Sequence, residues 1–270
     1  MSEADSIARS PTPVTARSLE RDLERLGVGP GMILLVHSSL SALGWVVGGA
    51  VVVLQALETR LGDGGTLVMP AFSSDNSEPS YWQNPPIPRE WWPVVRAEMP
   101  AYDPALTPTR AMGRLVETFR TQPGTLRSEH PQNAFAARGP HAPFIVTPHP
   151  LTPALGEGSP LSRLYELDAW VLLLGVGHGN NSSLHLAEYR ASFPGKRPMQ
   201  QGAAVRVGGE RRWVEFEDLD WNEEDFPALG AAFGARHDVA VGRAGHGEAR
   251  LMPVRPLVDF GVEWLTRHRS

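Results

Sequence analysis

The chain has 270 residues, a formal net charge of −5 at pH 7 and no cysteine. The lack of cysteine excludes disulfides, thiolate metal sites and any mechanism that passes an acyl group through an enzyme thiol. The mild charge and the scattered arginines argue against a nucleic-acid partner. The length suits a single domain over residues 1–270 with a sizeable buried core.

The sequence also argues against a membrane partner. No apolar run reaches about 18 residues, and the first segment lacks the apolar stretch of a secretory signal. We therefore expect a cytoplasmic protein, a monomer or a homodimer, in which residues 1–17 form a flexible tail.

The first part of the chain alternates helical and strand patterns. Leu19, Leu23 and Leu26 recur at spacings of four and three, which predicts an amphipathic helix. The short apolar run 32–36 and the segment "GTLVMP" suit buried parallel strands. Between them, apolar residues at helical spacing predict a second helix that ends at "GDGG"; they are Ala50, Val53, Leu54, Leu57 and Leu61.

Residues 72–108 differ in composition from the segments around them. They are rich in proline, tryptophan and acidic residues. A connection this long indicates a lid or a binding insertion. A helical pattern resumes in "TPTRAMGRLVETFR", with Thr109 as its predicted N-cap.

The rest of the chain completes an α/β pattern. "AWVLLLGV" predicts another buried strand, "AAVRVGGERRWVEFEDLDW" a β-hairpin around a Gly-Gly turn, and "LVDFGVEWLTRH" a closing helix. We predict a mixed, largely parallel central sheet flanked by helices, with an attached β-hairpin and the long Pro/Trp-rich insertion.

Polar clusters follow three of the predicted strands. They are His37-Ser38-Ser39, Ser73-Ser74-Asp75 and "HGNNSSLH". Ligands of open α/β sheets bind at the carboxyl ends of strands, so these clusters are expected to share one site. The Ser/Gly-rich turn after His37 is suited to hold a phosphate at a helix N-terminus, although it matches no Walker or dinucleotide motif. The alternative is an ordinary capped helix start.

The third cluster contains a histidine and a carboxylate on one helical face. A helix capped by Ser182 or Ser183 places His185 beside Glu188, because the two are three residues apart. A carboxylate fixes the imidazole tautomer and raises its proton affinity, as a general base requires. Two ligands are too few for a metal site, so we predict none. The alternative is a surface pair of little consequence, and we expect His178 to be a bystander.

Five segments together resemble the aminoglycoside 3-N-acetyltransferases. They are "VHSSLSALGWVVGG", "GTLVMPAFS", "TPTRAMGRLVETF", "RSEHPQNAFAARG" and "GEGSPLSRLYELDAWVLLLGVGHGNNSSLHLAEYR", in order within residues 18–200. The resemblance implies acetyl transfer from acetyl-CoA to the 3-amino group of the 2-deoxystreptamine ring, with His185 and Glu188 as the catalytic pair. It also implies that coenzyme A is held by two segments, namely His37, Ser38, Ser39, Leu40 and Ser41, and Thr109, Arg110, Ala111, Met112 and Gly113.

The chemistry of the residues agrees with that implication. A substrate ammonium must lose a proton before it attacks a thioester, and histidine titrates near neutrality, with an unperturbed pKa of about 6.5. Without cysteine, direct attack in a ternary complex is favoured, although an ester on a serine stays open. Aminoglycosides are polycations, and the acids expected to bind them are Asp75, Glu78, Glu223, Glu224 and Asp225.

Two other functions are compatible with the same sequence. One is an acetyl-CoA-dependent transferase whose acceptor is a different amine. The other is a non-catalytic coenzyme A-binding module, in which the His–Glu pair is only a surface feature. The tryptophans of the insertion either wall a cleft or anchor the insertion, and anchoring is the expected role.

Overall fold

The fold is described from a computed structural model over residues 3–269. Its centre is a seven-stranded sheet, and in chain order the strands are β1 (Ile33–Ser38), β2 (Thr66–Pro70), β3 (Leu126–Arg127), β4 (Phe135–Arg138), β5 (Trp170–Leu174), β8 (Ala240–Ala244) and β9 (Gly247–Pro253). The spatial order is β3-β4-β2-β1-β5-β9-β8. Two strands that stand apart, β6 (Pro198–Val207) and β7 (Glu210–Leu219), form the predicted hairpin.

The mixed α/β sheet is confirmed, with a smaller parallel part than predicted. Only β2, β1 and β5 run parallel to one another, whereas the other four pairings of the sheet are antiparallel. The antiparallel strands escaped prediction because they are short or half exposed, as the two residues of β3 and the largely exposed β8 illustrate.

Helices cover both faces of the sheet. They are α1 (Glu3–Ala8), α2 (Ala16–Leu26), α3 (Gly49–Leu61), α4 (Trp92–Glu98), α5 (Gly113–Arg120), α6 (Ala142–Val146), α7 (Pro160–Glu166), α8 (Ser183–Arg190), α9 (Phe226–Gly234) and α10 (Val254–His268). Within residues 3–269, no helix is long and apolar enough to cross a membrane.

Strand β1 shows why the central strands read as continuous apolar runs. Leu34 and Val36 belong to the core under α2, α3 and α5, whereas Ile33 and Leu35 belong to the core under α6 to α10. Successive side chains of a strand point to opposite faces, so a strand covered on both faces is apolar at every position.

A flexible tail is predicted over residues 1–17, of which residues 1 and 2 lie outside the described part of the chain. Residues 3–17 include a segment that packs against the fold. Val14 is buried, and its backbone exchanges hydrogen bonds with Trp45 and Val47 at 2.9 Å. Thr15 then begins α2 with a capping box shared with Ser18. Because the buried Val14 and the cap both fix the backbone, this segment packs against the loop after β1.

The insertion 72–108 packs against the hairpin. The side chain of Asn76 exchanges two hydrogen bonds of 2.9 Å with the backbone of Ala204, and the Tyr102 backbone N–H donates to the Ala204 carbonyl, also at 2.9 Å. The hairpin turns at Gly208 and Gly209, whose φ angles of 60° and 86° suit the two central positions of a type I′ turn. That the insertion moves as a lid stays a prediction.

Candidate active site

The three predicted polar clusters meet at one edge of the sheet. Strands β2, β1 and β5 are parallel neighbours, so their carboxyl ends lie side by side. Ser38, at the end of β1, is in register with Leu174, at the end of β5. The carboxyl ends of these strands therefore lie along one edge of the sheet. Residues of the clusters after β1 and β5 line the cleft at this edge, whereas Ser73, Ser74 and Asp75 line neither of the two clefts described below.

The His–Glu pair is present and buried. His185 Nδ1 lies 2.9 Å from Glu188 Oε2, and only 7% and 1% of the two side chains are exposed. The alternative of a solvated surface pair is therefore wrong. Because a carboxylate only accepts hydrogen bonds, the neutral imidazole of His185 carries its proton on Nδ1 and its lone pair on Nε2.

Helix α8 does not begin with the predicted serine cap. The hydroxyls of Ser182 and Ser183 make no capping bond to the helix backbone, and the Ser183 hydroxyl donates instead to Asn181 Oδ1 at 2.5 Å. Asn181 Oδ1 also accepts the Ser183 backbone N–H at 3.3 Å. Asn181, one residue before the N-cap Ser182, therefore satisfies the first backbone N–H of the helix.

Two residues distant in sequence hold the other oxygen of Glu188. Its Oε1 accepts the backbone N–H of Asn222 at 2.8 Å and a hydrogen bond from Arg269 Nη1. The imidazole of His185 packs against Trp221 and Phe226, with ring centroids 4.6 and 5.0 Å away. These partners were missed because no local pattern announces contacts that span more than 30 residues.

His37 lies beneath the site. Its Nε2 is buried without a hydrogen-bond partner among the described residues. Burial, followed by the nearby charge of His185, lowers the pKa of His37 to about 3, so the ring is neutral at physiological pH. His37 was predicted to contact coenzyme A, but it does not line the adjoining cleft. Its neighbour Ser38 does.

A cleft of about 950 Å³, here called the first cleft, opens beside the end of β1. The predicted residues that line it are Ser38, Ser39, Leu40, Ser41, Ala111, Met112 and Gly113. Helices α3 and α5 both begin at this cleft without a side-chain cap. A Cβ added at Gly49 or Gly113 would meet no atom within 4 Å, so the backbone at both helix starts faces open space.

Two of the predicted coenzyme residues face elsewhere. The Thr109 hydroxyl donates to Glu117 Oε2 at 3.1 Å, and Arg110 Nη1 donates to Asp75 Oδ1 at 2.7 Å. Thr109 is not the N-cap of α5 either, because the helix begins four residues later. The positive φ angles of Ala111 and Gly113, 57° and 83°, delay the start of the helix.

A second cleft, of about 570 Å³, contains three of the predicted acids. Glu223, Glu224 and Asp225 line it together with Trp221, the residue that packs on His185. Asp225 is bound to Arg269, whereas Glu223 and Glu224 make no ion pair among the described residues. His185 and Glu188 line neither cleft themselves. His185 adjoins the second cleft through Trp221, and it lies near His37, whose neighbour Ser38 lines the first cleft.

The other two predicted acids are engaged elsewhere. Glu78 is buried in a pair with Arg96. Burial alone would raise its pKa, but hydrogen bonds from Arg96 and Ser80 lower it below the usual value. Asp75 is paired with Arg110 and more than half exposed. Both carboxylates hold the insertion together, so the structure does not group them with 223–225.

The remaining buried histidines serve the framework. His130 Nδ1 accepts the backbone N–H groups of Gln132 and Asn133, and its Nε2 lies 3.1 Å from the Leu151 carbonyl. The rings of His130 and His149 are in contact, with centroids 4.8 Å apart and their planes tilted by 41°. His178, the expected bystander, packs directly on Gly230 of α9.

The fold and the site define a mixed α/β protein with a buried His–Glu pair near two clefts at one edge of its sheet. A family model described as aminoglycoside 3-N-acetyltransferase matches residues 35–266. The chain belongs to that family, which confirms the resemblance seen in its motifs, and its relatives are acyltransferases.

The similarity extends over nearly the whole chain. YokD of Bacillus subtilis, an aminoglycoside N(3')-acetyltransferase-like protein, is 45% identical over 96% of this chain and 94% of its own. Aminoglycoside N(3)-acetyltransferase VIII of Streptomyces fradiae is 38% identical over 98% and 96%.

Three solved structures show the same fold. The YokD crystal structure superposes with a TM-score of 0.95 at 43% identity, covering 98% of each chain. AAC-IIIb in a binary complex with CoASH has a TM-score of 0.86 at 30% identity, covering 96% of this chain and 98% of its own. AAC-VIa bound to sisomicin has a TM-score of 0.87 at 30% identity, covering 96% of this chain and 100% of its own.

Proposed function

We propose that the chain transfers an acetyl group from acetyl-CoA to the 3-amino group of the 2-deoxystreptamine ring of aminoglycosides, with His185 as the general base. The observation that carries this proposal is the buried pair of His185 and Glu188, which adjoins the second cleft through Trp221 and lies near His37, the neighbour of Ser38 on the wall of the first cleft. A base held by a carboxylate at the junction of two sites can serve a direct transfer between two bound substrates.

The first cleft suits coenzyme A. The uncapped N-termini of α3 and α5 offer backbone N–H groups and the positive ends of two helix dipoles, which favour phosphate groups. Arg114 lines the same cleft without an ion-pair partner among the described residues, so its charge is available. The bound CoASH of the relative AAC-IIIb supports the same use of this fold.

The catalytic role of His185 follows from its hydrogen bond. With Nδ1–H directed at Glu188, the lone pair of Nε2 is left to take a proton from the acceptor ammonium, so that the free amine can attack. Glu188 stabilises the imidazolium that results. Acetyl-CoA supplies the activated acetyl thioester, and no protein thiol takes part because the chain has no cysteine.

The oxyanion that forms during acyl transfer needs hydrogen-bond donors. The hydroxyls of Ser38, Ser39 and Ser41 line the first cleft next to β1, and Ser39 Oγ lies 3.3 Å from Ser41 Oγ. We assign the donors to this turn. Thr109, the other candidate, is less suited because its hydroxyl is bound to Glu117.

The second cleft suits a polycation. Glu223 and Glu224 place two carboxylates on its wall that form no ion pair within residues 3–269, and Asp225 adds a third that is paired with Arg269. Ammonium groups bind favourably beside carboxylates. The complex of the relative AAC-VIa with sisomicin agrees with an aminoglycoside as the acceptor.

The test is a thiol-release assay with acetyl-CoA and a panel of amines, run on wild type, H185Q and H141Q. His141 is the matched control, since it is exposed and bonds through its backbone to Thr66, at the opposite end of β2. Release with 3-amino aminoglycosides is expected. H185Q should bind acetyl-CoA but lose about 100-fold or more in kcat, and H141Q should match wild type.

Each alternative has its own outcome in this assay. Thiol release only with amines other than aminoglycosides would show that the acceptor is a different amine and that the acetyl transfer itself is as proposed. Coenzyme A binding without release for any amine would indicate a non-catalytic module. Near-wild-type turnover in H185Q would reject His185 as the base.

A further inference from the structure

We propose that Arg269 is a positioning residue that sets, through Glu188, the pH range in which His185 is free to accept a proton. The inference rests on the proposed function of His185. It deepens that function by adding a third member to the pair from a distant part of the chain.

Arg269 is held on all sides at the end of α10. Its Nη1 donates to Glu188 Oε1, its Nε and Nη2 donate to the two oxygens of Asp225 at 2.7 Å each, and Nη2 also donates to the Asn222 carbonyl at 2.5 Å. The guanidinium lies 5.1 Å from the centre of the Phe193 ring, and 14% of the side chain is exposed. A planar fork fixed in this way is suited to hold its charge at one place.

The charge of Arg269 opposes the effect of Glu188 on the imidazole. A buried carboxylate beside an imidazole favours the imidazolium form, which cannot act as a base. A guanidinium on the other carboxylate oxygen offsets that attraction, because it competes for the same negative charge. Arg269 therefore keeps Glu188 as an orienting partner while limiting how strongly it holds the proton on His185.

The other groups that face the pair do not replace this cation. His37 of β1 is neutral, and Tyr189 of α8 donates its hydroxyl to Asp218. Lys196, whose charge also reaches Glu188, is bound through Nζ to two backbone carbonyls, those of Tyr189 and Ala191. Asp225 is an anion that shares Arg269 with Glu188, and Glu223 and Glu224 are further anions on the wall of the second cleft.

The experiment follows His185 directly. Protein labelled with ¹³Cε1-histidine is titrated by NMR as wild type, R269Q, R269K and D225N, with H185Q to assign the resonance, and kcat is measured over the same pH range. R267Q is the control, because it removes an arginine two residues away whose pair with Glu263 is exposed.

In R269Q, the midpoint of the His185 titration should move up by about one pH unit. The acidic limb of the pH profile of kcat should move with it, so that kcat falls about tenfold at pH values below the limb and recovers above it. R269K should retain most of the wild-type midpoint, and KM for acetyl-CoA should stay within about twofold. D225N should move the midpoint the opposite way, because it leaves the guanidinium charge less compensated.

The opposite signs separate an electrostatic role from a structural one. A His185 midpoint that is the same in R269Q, D225N and R267Q would overturn the proposal, as would equal losses of kcat in R269Q and R269K with no movement of the limb. If R269Q does not fold, the sign of the shift in D225N decides. A midpoint that moves as expected in a protein whose H185Q variant keeps full turnover would support Arg269 and reject His185 as the base.

Discussion

The two clefts near the His–Glu pair are built in different ways. The first is made mainly of two strand-to-helix or loop-to-helix turns, 38–51 and 111–118, and presents backbone and hydroxyl groups. The second gathers 193–197, 220–225 and Arg269, and presents charged side chains. The first cleft depends on the conformation of local turns, which a short stretch of sequence can encode. The charged wall of the second cleft depends on contacts between segments that are distant in sequence.

The largest expected effect is a loss of folding stability at acidic pH, which arises from buried histidines outside both clefts. Burial lowers the pKa of His37 to about 3 and of His130 to about 4, and it lowers the pKa of His149 well below its usual range. The unfolded chain therefore binds more protons than the folded one below about pH 6.5. The contribution of these neutral histidines to the free energy of unfolding is fully present above that pH. It falls as the pH falls toward 4, by about 1.4 kcal/mol for each histidine and each pH unit.

Urea unfolding of wild type, H130Q and H141Q between pH 7 and pH 5 measures this effect. H130Q should show a slope of unfolding free energy against pH that is smaller by about one proton, whatever its stability at pH 7. The exposed H141Q should keep the wild-type slope. Equal slopes in all three variants would show that His130 is protonated in the folded state and would contradict the assignment.

The prediction from sequence succeeded where the encoding is local. The apolar runs at β1, β2 and β5 placed three polar clusters at one edge, and the spacing of His185 and Glu188 placed them on one face of α8. These features depend on the periods of strand and helix, which a single segment determines.

The prediction failed where a side chain had a choice of partners. The sequence shows that Thr109 precedes a helical pattern, but not that its hydroxyl binds Glu117. It shows that Glu78 lies in an acidic insertion, but not that its carboxylate pairs with Arg96. In the same way, no pattern near Glu188 indicates that Arg269, 81 residues away, binds it. Acidic composition alone therefore suggested five substrate-binding residues, of which the structure groups three in one cleft.

A side chain at Gly113 should disturb the first cleft alone. A Cβ there would enter open space at the start of α5, where we place the coenzyme, so G113V should raise KM for acetyl-CoA about tenfold, a loss of about 1.4 kcal/mol. KM for the aminoglycoside should stay unchanged. The measurement is steady-state kinetics with each substrate varied in turn.

The control for this variant is G31V. Gly31 has a similar positive φ, 78° against 83°, and also open space around it, but it does not line either cleft. Both variants carry the same backbone strain, so an equal rise of KM in both would attribute the effect to strain. A rise confined to G113V would support the coenzyme assignment.

The smallest effect is expected at the wall of the second cleft. Glu223 and Glu224 are exposed, so each contact with an ammonium group is worth well under 1 kcal/mol. E223Q/E224Q should therefore raise KM for a polycationic aminoglycoside only about fivefold, and the difference from wild type should shrink as salt is added. KM for acetyl-CoA should not change, since these residues do not line the first cleft.

The matched control removes two charges elsewhere. E210Q/E263Q changes net charge equally, and both side chains are mostly exposed in pairs with Arg212 and Arg267. If general attraction of a polycation to an acidic protein were the cause, both double variants would raise KM alike. A rise specific to E223Q/E224Q would mean that the position of the two charges matters. The second cleft would then be the acceptor site, and its specificity would depend on a loop that is bound to Glu188 through Asn222, Asp225 and Arg269.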